Sequence, residues 1–234
     1  MPIASAKKLT SLLSRLGKEF SPEDPPARDP VTQTIVSYLT WNATRSKAED
    51  AFAALMETLI DNNDVRVTYI DELVRLIGED YPDAWQRMAR LRESLHEVYL
   101  REHDIKMKSI EGKPKKDQRA YLDTLPGMTP YVAAEVTLLS FGGHAVPVDD
   151  KLLELLVAEG VFDQETTPAE AEGILLKQVK AADAFQTHLQ LQAWSDTTNP
   201  PRKSPSKKKA PGRSAKTAKK PATRKSPVKR AKKK

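Results

Sequence analysis

The residues with the most chemical promise lie between 117 and 156. Leu125-Pro126-Gly127-Met128-Thr129-Pro130 joins two helical patterns. Gly127 supplies a turn that other residues resist, and Pro130 suits the first turn of the helix that follows. A tight hairpin opening a helix leaves backbone N–H groups unpaired and pointing outward. With the helix dipole they form an anion site that needs no charged side chain, and a DNA phosphate is a natural occupant. Further on, Asp149 follows Val148 and precedes the apolar run Leu152, Leu153, Leu155 and Leu156. It therefore stands at a helix start, where the dipole favours its ionised form and where a carboxylate also serves as a cap. Trp41 offers either a core indole or a ring on which a base can stack, worth about 1–3 kcal/mol. The 4 histidines (His96, His103, His144 and His188) lack paired metal-ligand spacing, and the chain has 0 cysteines. Disulfides, zinc–thiolate sites and cysteine-ligated iron–sulfur clusters are excluded, and no metal or organic cofactor is expected.

These groups need a scaffold, and the periodicity supplies a helical one. Leu9, Leu12, Leu13, Leu16 and Phe20 fall on one face of a helix over residues 7–20, which SPEDPPARDP interrupts with four prolines. A second helix is expected from Val31 to Trp41. A third carries Ala48, Phe52, Leu55, Met56, Leu59 and Ile60. Ile70, Leu73, Val74 and Ile77 mark a fourth, ending at Gly78. A fifth starts at Pro82 with Trp85, Met88, Leu91, Leu95 and Val98 inward. Further helices are expected at 117–124, 130–141, 149–158, 168–180 and 183–194. No stretch alternates convincingly as a strand, and no apolar run approaches the ~18 residues of a membrane span. The expected fold class is all-α; without such a run a membrane protein is not expected, and without an apolar signal region at the N-terminus neither is secretion, the first residues reading as a structural helix in preference to an organelle transit peptide.

Charge divides the chain in two. The formal net charge is +6, from 38 basic and 32 acidic residues. Residues 199–234 hold 16 Lys/Arg and no acid, so 22 basic residues face all 32 acidic ones elsewhere, a net of −10. The tail NPPRKSPSKKKAPGRSAKTAKKPATRKSPVKRAKKK is rich in proline and alanine and cannot bury enough surface to offset chain entropy, so disorder is expected. A polycation of this length favours a nucleic-acid partner held through phosphates, with steep salt dependence, over the alternatives of a nuclear-import signal or a generic solubilising tail. Its Ser204-Pro205-Ser206-Lys207-Lys208 and Ser226-Pro227-Val228-Lys229-Arg230 pieces resemble linker-histone tails in composition.

LPGMTPYVAAEV resembles the helix-hairpin-helix of the HhH-GPD superfamily of DNA glycosylases, with the common form L-P-G-[VI]-G-x-x-[TS]-A. FGGHAVPVDDKLLELL (141–156) resembles that family's catalytic segment, and DPVTQTIVSYLTWNATRSKAEDAFAALM (29–56) is similar to its opening helices in endonuclease III-like members. The blocks stand in the family order. The resemblance implies a two-lobed helical body over 1–198, with lobe one at about 31–143 and lobe two formed by about 1–30 plus 144–198. It implies a monomeric base-excision enzyme on double-stranded DNA, found with DNA in the cytoplasm, nucleoid or nucleus. It also implies that residues 125–130 grip DNA, that Asp149 is the catalytic aspartate with Asp150 the neighbouring possibility, and that Asn42 sits where a glutamine fills the gap left by the flipped base. Trp41 is the neighbouring base-stacking candidate. Tyr131 falls at the position of the lyase lysine, and a tyrosine cannot form an imine. The resemblance thus implies a monofunctional glycosylase, with Lys151 the one nearby candidate for lyase chemistry. Three departures stand out: Thr129 replaces the hairpin's second glycine, the cysteine loop for an iron–sulfur cluster is absent, and the body is acidic. Two alternatives stay open: a non-catalytic DNA-binding or architectural protein, and a bifunctional glycosylase/AP lyase.

Overall fold

The structure, a computed structural model, describes residues 6–199. The strongly basic segment from 200 onward, with both Ser-Pro motifs, lies outside the described residues. The described chain is all-α, with eleven helices: α1 (Ala6–Glu19), α2 (Pro30–Thr40), α3 (Arg45–Thr58), α4 (Asn62–Val67), α5 (Ile70–Ile77), α6 (Ala84–Glu102), α7 (Lys115–Asp123), α8 (Pro130–Leu139), α9 (Asp150–Ala158), α10 (Pro168–Gln178) and α11 (Ala184–Thr197).

The helix starts are written in short polar side chains and prolines. Asp29 accepts from the N–H groups of Val31 and Thr32 at 3.0 and 3.1 Å, with Pro30 as the first helical residue. Thr44 caps α3, Thr129 caps α8 ahead of Pro130, and Thr167 caps α10 in a reciprocal capping box with Glu170. Helix α4 was not expected from periodicity. At six residues it is too short to show a stripe, and Asp61 starts it by accepting from the N–H groups of Asn63 and Asp64.

Two apolar cores form. The first is built from α2 to α8 and includes Ile35, Tyr38, Leu39, Leu55, Leu73, Met88, Leu91, Leu95, Leu122 and Val132. The second joins α1 to the chain after α8, with Leu9, Leu12, Leu16, Val146, Val148, Leu152, Leu156, Leu175 and Leu191. Helix α8 serves both, giving Val132 and Val136 to one core and Ala134 and Leu138 to the other. Helices α2 and α8 are therefore enclosed almost all round, as expected for helices with little polar face.

Two expected core positions are corrected. Ile60 lies past the end of α3 and is 94% exposed. The chain leaves the helix at Leu59, so the helical stripe no longer governs where its side chain points. Trp85 is 60% exposed. Helix α6 starts at Ala84 rather than Pro82, and its inward row runs through Ala84, Arg87, Met88, Leu91, Ser94, Leu95 and Val98.

Candidate active site

The hairpin is pinned to α6. Gly127 has φ +75°, and a Cβ there would lie 2.6 Å from the Arg90 carbonyl oxygen and 3.0 Å from its Cα. Only glycine allows that approach. Arg90 Nη1 donates to the Gly127 carbonyl at 3.3 Å, and Ser94 Oγ donates to the Pro126 carbonyl at 2.7 Å. Tyr38 Oη stands 2.7 Å from Ser94 Oγ, so a buried hydroxyl pair ties α2 to the same turn. Leu125 and Thr129 are buried, Met128 is half-buried, and Pro126 and Pro130 are exposed. Thr129 does not strain the turn. Its φ is −102°, open to any residue, and its hydroxyl accepts from the Val132 N–H at 3.2 Å. It thus takes up one donor at the start of α8, and among the described residues the N–H groups of Gly127 and Thr129 have no protein partner.

Asp149 is the N-cap of α9 and is 4% exposed. One carboxylate oxygen accepts from the Leu152 N–H at 2.8 Å. The other accepts from the backbone N–H of Asn42 at 2.9 Å, across 107 residues of sequence. Burial pushes its pKa above the ordinary aspartate value. The two N–H donors and the Lys151 charge oppose that shift, while Asp150 adds to it. A carboxylate offers about four lone-pair positions, and these two donors fill one on each oxygen.

Asn42 meets α9 with its side chain too. Its Nδ2 donates to Asp150 Oδ2 at 3.1 Å, and its Oδ1 accepts from the Asp150 N–H at 3.0 Å. The amide expected to fill a gap in DNA is thus hydrogen-bonded to the head of α9. Trp41 is half-buried against the first core, with the Arg87 and Arg90 guanidinium carbons 5.6 and 5.9 Å from its ring. Its ring likewise lies against protein rather than standing free.

Tyr131, on α8, is buried. Its hydroxyl lies 3.2 Å from Glu135 Oε1 and 3.3 Å from Gln192 Oε1. Burial and the charges of Glu135, Asp149 and Asp196 hold its pKa far above the usual phenol value, so it stays neutral. The surrounding polar cluster was not legible in the sequence. His188 Nε2 is 3.3 Å from Glu135 Oε1, and Gln192 Nε2 donates to Asp196 Oδ1 at 2.8 Å. Asp196 also accepts from the Arg45 N–H at 3.1 Å, and burial raises its pKa. Lys151 is half-buried and lies in the field of both Asp149 and Asp196. A cavity of about 540 Å³ opens beside this cluster, between residues 22–26, Arg45, Glu49, Gln192 and Asp196. No group of three or more His, Asp or Glu side chains suited to a metal ion occurs among the described residues.

No protein-family model matches the chain, and no curated protein matches it. Solved structures do. A trapped covalent complex and a non-covalent complex of endonuclease III with DNA each superpose with a TM-score of 0.64 at 18% identity, covering 81% of this chain and 85% of the other. The fold is that of the helix-hairpin-helix DNA glycosylases. A thermostable thymine-DNA glycosylase matches with a TM-score of 0.59 at 22% identity, over 86% of this chain and 91% of that one. The Clostridium acetobutylicum 8-oxoguanine glycosylase/lyase bound to double-stranded DNA matches at 0.60 and 14% identity, over 81% and 68%. Within this glycosylase fold, the pinned 125–130 turn opens α8 and Asp149 opens α9. No helix among the described residues is long and apolar enough to cross a membrane.

Proposed function

We propose that the chain is a base-excision DNA glycosylase, monofunctional, with Asp149 as its catalytic carboxylate. One observation carries the reading. A buried aspartate is fixed by a backbone donor from each of two distant segments, one to each carboxylate oxygen, in a fold shared with DNA glycosylases. In the reaction the C1′–N bond breaks and its electron pair leaves with the base, which takes up a proton. Water adds its oxygen to C1′ and gives up a proton. The sugar carries positive charge in the transition state, and an ionised carboxylate held in a poorly hydrated site stabilises that charge strongly. Asp149 also orients the attacking water.

Tyr131 supports the monofunctional reading, because a neutral buried phenol held by Glu135 and Gln192 is no imine-forming amine. Residues 125–130 would take a DNA phosphate on the N–H groups of Gly127 and Thr129. The basic tail would add salt-sensitive affinity for the duplex and offset the acidic body. No cofactor takes part in this scheme.

A second reading, a non-catalytic DNA-binding protein, draws on the closed state of the site. Asp149 is nearly sealed, and the Asn42 amide is locked on α9. End-labelled duplexes carrying uracil, thymine opposite guanine, oxidised pyrimidines, 8-oxoguanine or alkylated purines separate the readings. Alkali-dependent breaks that vanish in Asp149→Asn support the monofunctional enzyme. Breaks without alkali would make it a lyase, with Lys151 the first residue to replace. Tight binding without base release from any duplex would leave the architectural reading.

A further inference from the structure

Arg87 has the largest of the fully buried side chains, at 0% exposure, and no carboxylate lies within ion-pair distance of it among the described residues. Taking a guanidinium out of water without a counter-ion is expensive and demands full hydrogen bonding. The hydrogen bonds go to backbone. Nε and Nη2 donate to the Pro82 carbonyl at 3.1 and 3.0 Å. Nη1 donates to the Tyr38 carbonyl and reaches the Leu39 carbonyl at 3.4 Å. Those two carbonyls belong to the last turn of α2, where helix geometry leaves them without partners. Tyr81 reinforces the site, its hydroxyl donating to the Leu39 carbonyl at 2.7 Å. The Trp41 and Tyr81 rings lie 5.6 and 5.1 Å from the guanidinium carbon.

What Arg87 fixes is the turn that follows. The Ala43 N–H bonds the Thr40 carbonyl at 2.9 Å, with Trp41 at φ −53°, ψ 118° and Asn42 at φ 55°. That is a type II turn, which needs a positive φ at its third residue and turns that residue's N–H outward. The outward N–H is the one that Asp149 accepts.

We propose that Arg87 is a positioning residue for Asp149, acting through the Trp41–Asn42 turn. The guanidinium holds the end of α2, the end of α2 sets the turn, and the turn delivers a backbone donor to the carboxylate. Its charge acts in the same direction, since Arg87 and Asp149 interact electrostatically through the protein interior. Asp150 and Lys151 on its own helix and Tyr131 on α8 also interact with Asp149, while Asp196 on α11 acts on Lys151 and Tyr131. The inference rests on Asp149 being the catalytic carboxylate for its functional meaning only.

The test reads Asp149 directly, in the full chain, by 13C-carboxyl NMR assigned with Asp149→Asn, together with the Asn42 amide shift. In the native protein the Asn42 N–H resonance moves with the Asp149 titration. Arg87→Met loses that coupling and raises the Asp149 midpoint by about one pH unit, because a hydrogen bond to the charged form and a favourable charge both disappear. Arg87→Lys keeps the charge but not the fork, so its midpoint falls between. Should Arg87→Met not fold, the Lys variant against the native chain decides by the same signs. An unchanged Asp149 midpoint and an unchanged Asn42 amide in a folded Arg87 variant overturn the proposal. On the duplex that releases a base, kcat falls with little change in KM, and the acid limb moves with the NMR midpoint. If Asp149→Asn still releases base, the catalytic reading fails, while the NMR result still decides Arg87.

Discussion

Replacing Gly127 with alanine tests whether the hairpin is held against α6 as tightly as its geometry implies. Two penalties combine. The residue sits at φ +75°, where an L side chain costs about 1–2 kcal/mol. The added methyl also lands 2.6 Å from the Arg90 carbonyl oxygen, well inside van der Waals contact, and backbone on both sides has little room to give. Relief requires the turn to move off α6, which weakens the hydrogen bonds from Arg90 to Gly127 and from Ser94 to Pro126, each worth about 1 kcal/mol. The expected destabilisation is about 3–4 kcal/mol. Gly142 is an internal control. Its φ is +59°, but a Cβ there meets nothing within 4 Å, so Gly142→Ala should cost only about 1–2 kcal/mol. Urea denaturation of both variants gives the difference, which isolates the steric and hydrogen-bond part. Duplex binding at a temperature where both are folded should be weakened several-fold in Gly127→Ala and unchanged in Gly142→Ala. Equal destabilisation of the two variants would refute the claim that close packing on α6 positions the hairpin.

Tyr131→Phe should destabilise the body by about 1 kcal/mol, the usual worth of a buried hydroxyl's hydrogen bond, and leave the rate of base release within a few-fold. A loss of hundreds-fold would give the phenol a chemical role. Asp149, Glu172 and Asp196 all have pKa values raised by burial, so the folded chain binds these protons more tightly than the unfolded one. Their contribution to stability is present below the ordinary carboxylate pKa, about 4, and is lost as pH rises through their folded values. Asp149→Asn should flatten the melting temperature against pH in that window, and an unaltered profile would contradict the raised value. Deleting residues 199–234 should weaken duplex binding and reduce its salt slope, as removal of phosphate contacts requires. An unchanged slope would take the tail out of DNA binding.

Much of the scaffold was legible because its signals are local. The stripes of α1, α3, α5 and α6, the proline at the head of α8, and the Leu-Pro-Gly turn depend on neighbours within a few residues. Asp149 was legible as a helix cap for the same reason. The exceptions are also physical. Helix α4 is shorter than the period needed to show itself, and Ile60 and Trp85 sit at helix ends, where the stripe ceases to dictate direction.

What sequence alone determined here was most of the helices, the cap position of Asp149, the glycine the hairpin requires and the acidic body beside a basic tail. The tertiary structure decided which groups meet. Asn42 and Asp149 are 107 residues apart, and only the approach of the turn after α2 to the head of α9 turns an ordinary cap into a carboxylate held from both sides. Arg87 left one faint trace, a charged residue in the inward row of α6, but its partners are carbonyls, and carbonyls have no letter in a sequence. The Tyr131, Glu135, His188, Gln192 and Asp196 cluster is likewise assembled from α8 and α11. Helix formation is governed by neighbours along the chain, whereas burial, which sets charge states and hydrogen-bond partners, is governed by neighbours in space.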